Sequence, residues 1–576
     1  MTIQEAVPVA QLNFPHYHTY DELTQYLKDV ARDHPTLARL FSMGKSYQGR
    51  DLWVLTLTNT ESGPDSEKPG YWIDANIHAG EVTGGAAALW TIEHLLSHYG
   101  QNSADGRQAT ELLDQHALYI APRLSPDGVE AFLTTPMQVR SSLRPYPFED
   151  EREGLYPHDI DGDGRILQMR VPDPKGPWKV SEKDPRLMRR RTFQDSGAQE
   201  AGEQFYQVYG EGLIRDYDGY TVKAAPTQYG LDLNRNFFFD WGPEGQQRGA
   251  GPYPASEPET RALADFFARH PNINGAQSYH TYGGVILRPY SGRADDTLPT
   301  HDLRVFKQMG QGGTDLTGYP HTSVFHGFRY DPKEVLRGGL FDWFYDSLGI
   351  FAFATELWDV VAASGIGEEK GGVLTRDFIE WGRDHPEEDD LKLLKFNDEQ
   401  NLGGFEPWRR FEHPQLGAVE IGGWDYRTFW GVAPLKFLEE IADKNARFTL
   451  AHAGANPRLN WKVVDVRPQE GGLYHLVAVL ENTGFLPTYT SARAMERQAV
   501  QPIRVKVQGG RLLSGEATQE IGQLEGRSAV QGGFAPTFAR QEQKLEWVIR
   551  GEKGSKVTLE AAGQRAGVAR AEVELG

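Results

Sequence analysis

Residues 71–100 read YWIDANIHAGEVTGGAAALWTIEHLLSHYG. The first seven, YWIDANI, make an apolar run of strand length, while GGAAALWTIEHLLSHYG has helical length and closes on Gly100, a residue type that ends helices. His78 and Glu81 stand at the junction, three apart, so one tight turn can aim both side chains at a single point. Strand then helix is the repeating unit of an α/β sheet, and ligands of such sheets collect at the carboxyl ends of strands.

The alternation continues in both directions. DELTQYLKDVARDHP, after Tyr20, has apolar residues three and four apart, as a helix requires, and DLWVLTLTN from Asp51 alternates like a strand. Further on, the short apolar runs ALYIAPR, GAQSYH and IFAFATEL are separated by helical stretches such as EPETRALADFFARH. This predicts an α/β fold: a mixed, mainly parallel twisted sheet with helices on both faces, and His78, His280 and Glu356 at strand ends.

Around that core, residues of about 141–229 are polar and weakly periodic, which reads as an insertion on the rim. From residue 456 to 576 the character changes to short alternating runs (WKVVDV, YHLVAVLEN, IRVKVQ, KLEWVIRG, KVTLEAA) between Gly-rich turns, the pattern of a β-sandwich. The expected organisation is a first domain over 1–455, with its core at about 15–375 and a helical extension at about 376–455, followed by an accessory sandwich domain.

Bulk composition narrows the function. The 576 residues exceed the ~250–300 at which a single core stops growing, so at least two domains are expected. A hydrophobic fraction of 39% argues against disorder. Sixty basic against eighty acidic residues give a net charge of −20, which repels phosphate backbones and anionic lipid, so nucleic acid is not an expected partner. With no cysteine, disulfides and thiolate metal sites are excluded. The N-terminal stretch MTIQEAVPVAQLNFPHYHTY lacks a basic start and apolar run, and no span of about 18 apolar residues occurs; the expectation is a soluble chain without membrane insertion, cytoplasmic by default. Oligomeric state is not written in these patterns.

Four groups carry chemistry. His78, Glu81 and, some two hundred positions later, His280 offer two imidazoles and a carboxylate, a set that suits zinc and leaves a fourth position for water, although His-x-x-Glu alone recurs by chance. LDLNRNFFFDW sets Asp232, Asn234 and Arg235 together, and an arginine fork can hold a carboxylate through two charge-assisted hydrogen bonds; the bland alternative is an interior ion pair. Glu356 ends the apolar run IFAFATEL, where a carboxylate must be paired, metal-bound or functional. HDIDGDGRI places Asp159, Asp161 and Asp163 alternately, like the start of a calcium loop, but the twelfth position is Arg170 instead of Glu, and an ordinary Asp/Gly turn competes. His94 and His98 lie four apart with no third ligand near, and read as surface histidines at a helix end.

Taken together, the motifs GKSYQGRDLWVL, HAGE, PRLSPDGVE, DLNRNF, GPYPASEPET, SYHTYGG with ILRPYSG, GGLFDWFY and TELWD stand in the order of the carboxypeptidase A and B family of zinc metallocarboxypeptidases, which the chain resembles over roughly residues 15–375. The resemblance implies that His78, Glu81 and His280 hold one Zn²⁺ and that Glu356 is the general base. It further implies that Asn234 and Arg235 clamp the free C-terminal carboxylate of a peptide substrate, that Arg140 stabilises the oxyanion with Arg144 as a competitor, and that Asp232 orients His78. Two departures stand out: Glu334 occupies the position of the family's capping tyrosine, leaving Tyr330 as the nearest substitute, and Phe341 occupies the position that sets side-chain preference. An aromatic there points to neutral or apolar terminal residues. A cell-wall peptide amidase or amino-acid deacylase on the same scaffold is the alternative, with a non-catalytic binding protein behind it.

Overall fold

Eight runs of apolar and β-branched residues become one mixed sheet: β1 (Ala38–Lys45), β2 (Asp51–Leu57), β3 (Gly70–Ala75), β4 (Ala117–Ala121), β5 (Ile273–Thr281), β6 (Val285–Arg288), β7 (His321–Ser323) and β8 (Phe351–Leu357). The structure is a computed structural model that describes residues 11–195, 203–331, 333–370, 373–530 and 539–576. The N-terminal leader reading falls partly on residues 1–10, and the rim reading partly on 196–202, outside the described residues.

The strand order is β1-β2-β4-β3-β5-β8-β6-β7. Pairings β3–β4, β3–β5, β5–β8 and β6–β7 are parallel, so the centre of the sheet is parallel and its β1–β2 edge antiparallel. Every residue of β3, β5 and β8 is buried, because helices cover both faces; such strands read as continuous apolar runs. Tyr71, Ile73 and Ala75 point to one face and pack with residues of α1 (Tyr20–Asp33), α2 (Val82–His98) and α5 (Leu435–Ala453). Trp72 points to the other, against Phe266 and Phe267 of α3 (Pro258–Arg269) and beside Phe344 of α4 (Leu340–Leu348).

Local chemistry sets the junctions. Thr19 and Glu22 form a capping box that starts α1, with Thr19 N–H donating to Glu22 at 2.8 Å. After β3 the chain turns through Asn76, whose side-chain amide donates to the Glu81 carbonyl at 2.8 Å. Gly85 lets α2 press on that turn, since a Cβ there would lie 2.4 Å from Asn76 Oδ1. At the end of α4, Gly349 adopts φ 63°, the left-handed region that favours glycine, and the chain passes directly into β8 and Glu356.

The rim holds more strand than its sequence suggests. Gln168–Pro172, Trp178–Val180, Met188–Arg190 and Phe205–Gly210 of the insertion join Phe405–His413 and Gly417–Trp424 in a six-stranded sheet around Leu167, Met169, Val419 and Ile421. The extension read as helical therefore carries a hairpin as well as the helices Phe378–Arg383, Glu387–Gln400 and α5. Its strands are half-exposed and rich in charge, which masks their periodicity.

Residues from Leu459 onward form two four-stranded sheets packed around Trp547, Leu476, Val505 and Leu559. This sandwich is fastened to the α/β unit by Arg570, which forks the Glu67 carboxylate at 2.7 and 3.0 Å, and by Arg565, which donates to the Gly349 carbonyl at 3.2 Å. Among the described residues, no helix is long and apolar enough to cross a membrane.

Candidate active site

The turn after β3 delivers His78 and Glu81, and the carboxyl end of β5 delivers His280. Glu81 bridges the two rings: Oε1 is 2.8 Å from His78 Nδ1, Oε2 is 2.9 Å from His280 Nδ1, and the two Nδ1 atoms are 3.2 Å apart. All three residues are buried, with ligand atoms within 4.8 Å of one another. Burial alone would raise the Glu81 carboxyl, but His78 and His280 together hold it well below the usual carboxylate range. Two imidazole nitrogens and one carboxylate converging in a buried pocket fit a zinc ion with one position left for water.

Asp232 stands behind this cluster. Its Oδ1 lies 3.1 Å from His78 Nε2, an arrangement in which Nε2 carries the proton and the Nδ1 lone pair faces Glu81 and His280. Its Oδ2 accepts from Arg140 Nε at 3.1 Å, and Arg140 Nη1 donates to Glu81 Oε1 at 3.3 Å, so Arg140 lies directly over the metal-type cluster. The Arg144 guanidinium forks the buried Glu257 carboxylate at 2.7 and 2.6 Å, a bidentate pairing to the scaffold that a substrate contact would have to share.

Asn234 and Arg235 follow Asp232 on a short helical turn, where the Asp232 side chain accepts from Asn234 N–H at 2.9 Å. The Asn234 side-chain carbonyl accepts from Leu340 N–H at 2.8 Å, fixing its orientation. Arg235 Nη1 donates to the Asn234 carbonyl at 2.8 Å, and among the described residues no carboxylate forms an ion pair with it.

Glu356 lies on β8 in parallel register with His280. Among the described residues its carboxylate takes no hydrogen bond and no ion pair, although the side chain is buried. Burial, reinforced by the charge of Glu81 and opposed by that of His280, pushes its carboxyl up to about 8. Tyr330 sits on a loop at the rim, within electrostatic reach of Arg140, Arg235, Glu356 and Asp232, while Glu334 is exposed. The Tyr330 ring stands 6.1 Å from Phe328, which stacks on Phe378 at 5.2 Å. Phe341 is buried in the apolar cluster of α3 and α4.

A cavity of about 830 Å³ opens from His78, Glu81 and Arg140. Its outer walls come from the rim insertion, including Tyr156, and from Tyr426 and Arg427 of the extension. Sequence reasoning passed over these last two residues, which lie on a five-residue π-helical turn with no periodic signature.

The calcium expectation gains no support. Asp159 accepts from the N–H groups of Gly162 and Gly164 at 2.7 and 2.8 Å, as in an Asp/Gly turn, and Arg409 pairs with both Asp161 and Asp163. Arg170, at the twelfth position, pairs with Glu420. Asp159, Asp161 and Glu211 do approach one another, but Glu211 accepts from the backbone of Ile160 and Leu167. The His94 and His98 rings lie 4.5 Å apart and tilted on α2 with no third ligand group among the described residues, and His94 is buried instead of lying on the surface as expected.

The zinc carboxypeptidase family model matches residues 23–369, more than half of the chain. The chain belongs to the zinc carboxypeptidase family. Membership of this family implies zinc, in agreement with the donor set of His78, Glu81 and His280. Carboxypeptidase A2 of Rattus norvegicus is 25% identical over 360 residues, covering 60% of this chain and 64% of that protein. Carboxypeptidase A6 of Mus musculus is 24% identical over 358 residues, covering 61% and 62%. The chain thus spans a little under two thirds of the curated relatives it matches. A crystal structure of thrombin activatable fibrinolysis inhibitor aligns with a TM-score of 0.43 at 19% identity, covering 78% of this chain and 76% of that one. A second family model, a domain of unknown function, matches residues 458–574.

Proposed function

We propose that this zinc carboxypeptidase family member is an exopeptidase that hydrolyses the last residue from peptides with a free C-terminal carboxylate. The observation that carries this reading is Glu356, a buried carboxylate with no hydrogen-bond or ion-pair partner among the described residues, held in strand register with His280. His78, Glu81 and His280 would hold the zinc ion, which when bound would supply Lewis acidity to water and to the scissile carbonyl. Glu356 accepts the proton of the attacking water and passes it to the leaving amine, the work of a carboxylate placed beside the reacting water. Arg140 faces the oxygen on which negative charge develops. Asn234 and Arg235 clamp the terminal carboxylate, which is why end residues are removed and internal bonds spared.

Phe341 and its apolar neighbours favour neutral or apolar terminal side chains, and Tyr330 covers the bound residue in place of the tyrosine that Glu334 replaces. Catalysis resides in residues 1–455, and the sandwich from 456 to 576 braces it through contacts such as Arg565 with Gly349. A substrate without a free carboxylate would make no use of this clamp, and Arg235, free of any ion pair among the described residues, favours substrates that end in a free acid. The test is a peptide series offered as free acids and as C-terminal amides, read by mass spectrometry. Release of one residue from the acids alone is expected; cleavage confined to amides or N-acyl amino acids would overturn the reading.

A further inference from the structure

The 830 Å³ cavity shares His78, Glu81 and Arg140 with the metal-type cluster, yet neither Asn234, Arg235 nor Phe341 lines it. It therefore extends from the reacting centre away from the carboxylate clamp, on the side where a peptide's upstream residues must lie. A volume of this size is that of a ligand pocket.

One wall is the π-helical turn Tyr426–Trp430, a rare conformation that often marks functional positions. Asp425 caps it, accepting from the N–H groups of Arg427 and Thr428 at 3.1 Å and from the Thr428 hydroxyl at 2.7 Å. The segment is tied to the cluster itself: the Thr281 hydroxyl, next to His280, donates to the Gly431 carbonyl at 2.7 Å, and Ala433 N–H donates to Thr83 Oγ1 at 3.0 Å.

Charge in the cavity is unequally committed. Arg140 is paired with Asp232 and Glu81, and Arg215 is paired with Glu151. Arg427 has no ion pair among the described residues; its guanidinium lies 4.3 Å over the Phe132 ring and its Nε is buried without a hydrogen-bond partner. The contact with the Phe132 ring holds the guanidinium in place through a cation–π attraction without using its N–H donors, which leaves them for an acceptor. Arg427 lies outside residues 23–369, so its contribution belongs to this chain's own extension.

We infer that the cavity receives the part of the peptide upstream of the scissile bond and that Arg427 selects an acidic side chain there, a proposal that rests on the exopeptidase reading. The test uses the zinc-loaded full chain and alanine pentapeptides ending in Phe, with Glu, Gln or Lys at one of the three positions before the terminal residue. At one position kcat/KM for Glu should exceed that for Gln by about tenfold, as for a hydrogen bond to a charged group, with Lys slowest and the preference shrinking at high salt. Arg427→Gln should bring the Glu/Gln ratio to about one, and Arg427→Glu should move the preference to Lys. Equal rates for Glu, Gln and Lys at every position, with Phe still released, would overturn this inference and leave the exopeptidase reading standing. Release from none of the peptides would overturn both. The series on the unaltered protein decides the matter even where a variant folds poorly.

Discussion

Asp232 joins two roles at one carboxylate: Oδ1 is 3.1 Å from His78 Nε2 and Oδ2 is 3.1 Å from Arg140 Nε. One side chain thus orients a metal-type histidine and positions the cation above it. Asp232→Asn should weaken zinc binding by roughly 10- to 100-fold, measured by competition with a chromogenic chelator. Unchanged affinity would show that His78 needs no such support.

Among the described residues, the Arg235 side chain donates one hydrogen bond, to the neighbouring Asn234 backbone carbonyl, which leaves most of its fork for a substrate. Arg235→Ala should lower kcat/KM on free-acid peptides by roughly 10- to 100-fold, the loss of a charge-assisted pairing, and should shrink the preference for acids over amides in proportion. A variant that kept the full acid preference would remove Arg235 from the clamp.

His116 bears on stability instead of catalysis. Its ring is buried with neither nitrogen hydrogen-bonded, and burial, aided by the charge of Arg458, pushes its pKa down to about 4 from 6.5. Because the folded state disfavours the protonated ring, this stabilisation is complete above about pH 6.5 and is lost as pH falls towards 4. The loss reaches roughly 3 kcal/mol. His116→Leu should flatten the fall of Tm with pH across that window, and superimposable Tm–pH profiles would contradict the assignment.

The parts of this molecule legible in its sequence are those whose physics is local or periodic. The strands β3 and β8 show as largely apolar runs because both faces are covered, and His78, just beyond the first, and Glu356, near the end of the second, stand out against that background. The pairing of Arg144 was not legible because its partner, Glu257, lies 113 positions away and nothing in the local pattern announces it. The rim sheet escaped notice because several of its strands are only three to six residues long and carry charge, as in Met188–Arg190. Arg427 was invisible for a different reason: a five-residue π-helical turn has no period to detect, and its place in the cavity depends on a tether between Thr281 and Gly431, 150 positions apart.

The central claim is that Glu356 moves the proton while His78, Glu81 and His280 hold the metal. Glu356→Gln removes the base and leaves all three donors in place. The decisive measurement is zinc content and peptide turnover on the same purified sample of this variant. The account predicts one zinc per chain with kcat lowered by about 10²- to 10⁴-fold. Zinc retained with turnover undiminished would contradict it.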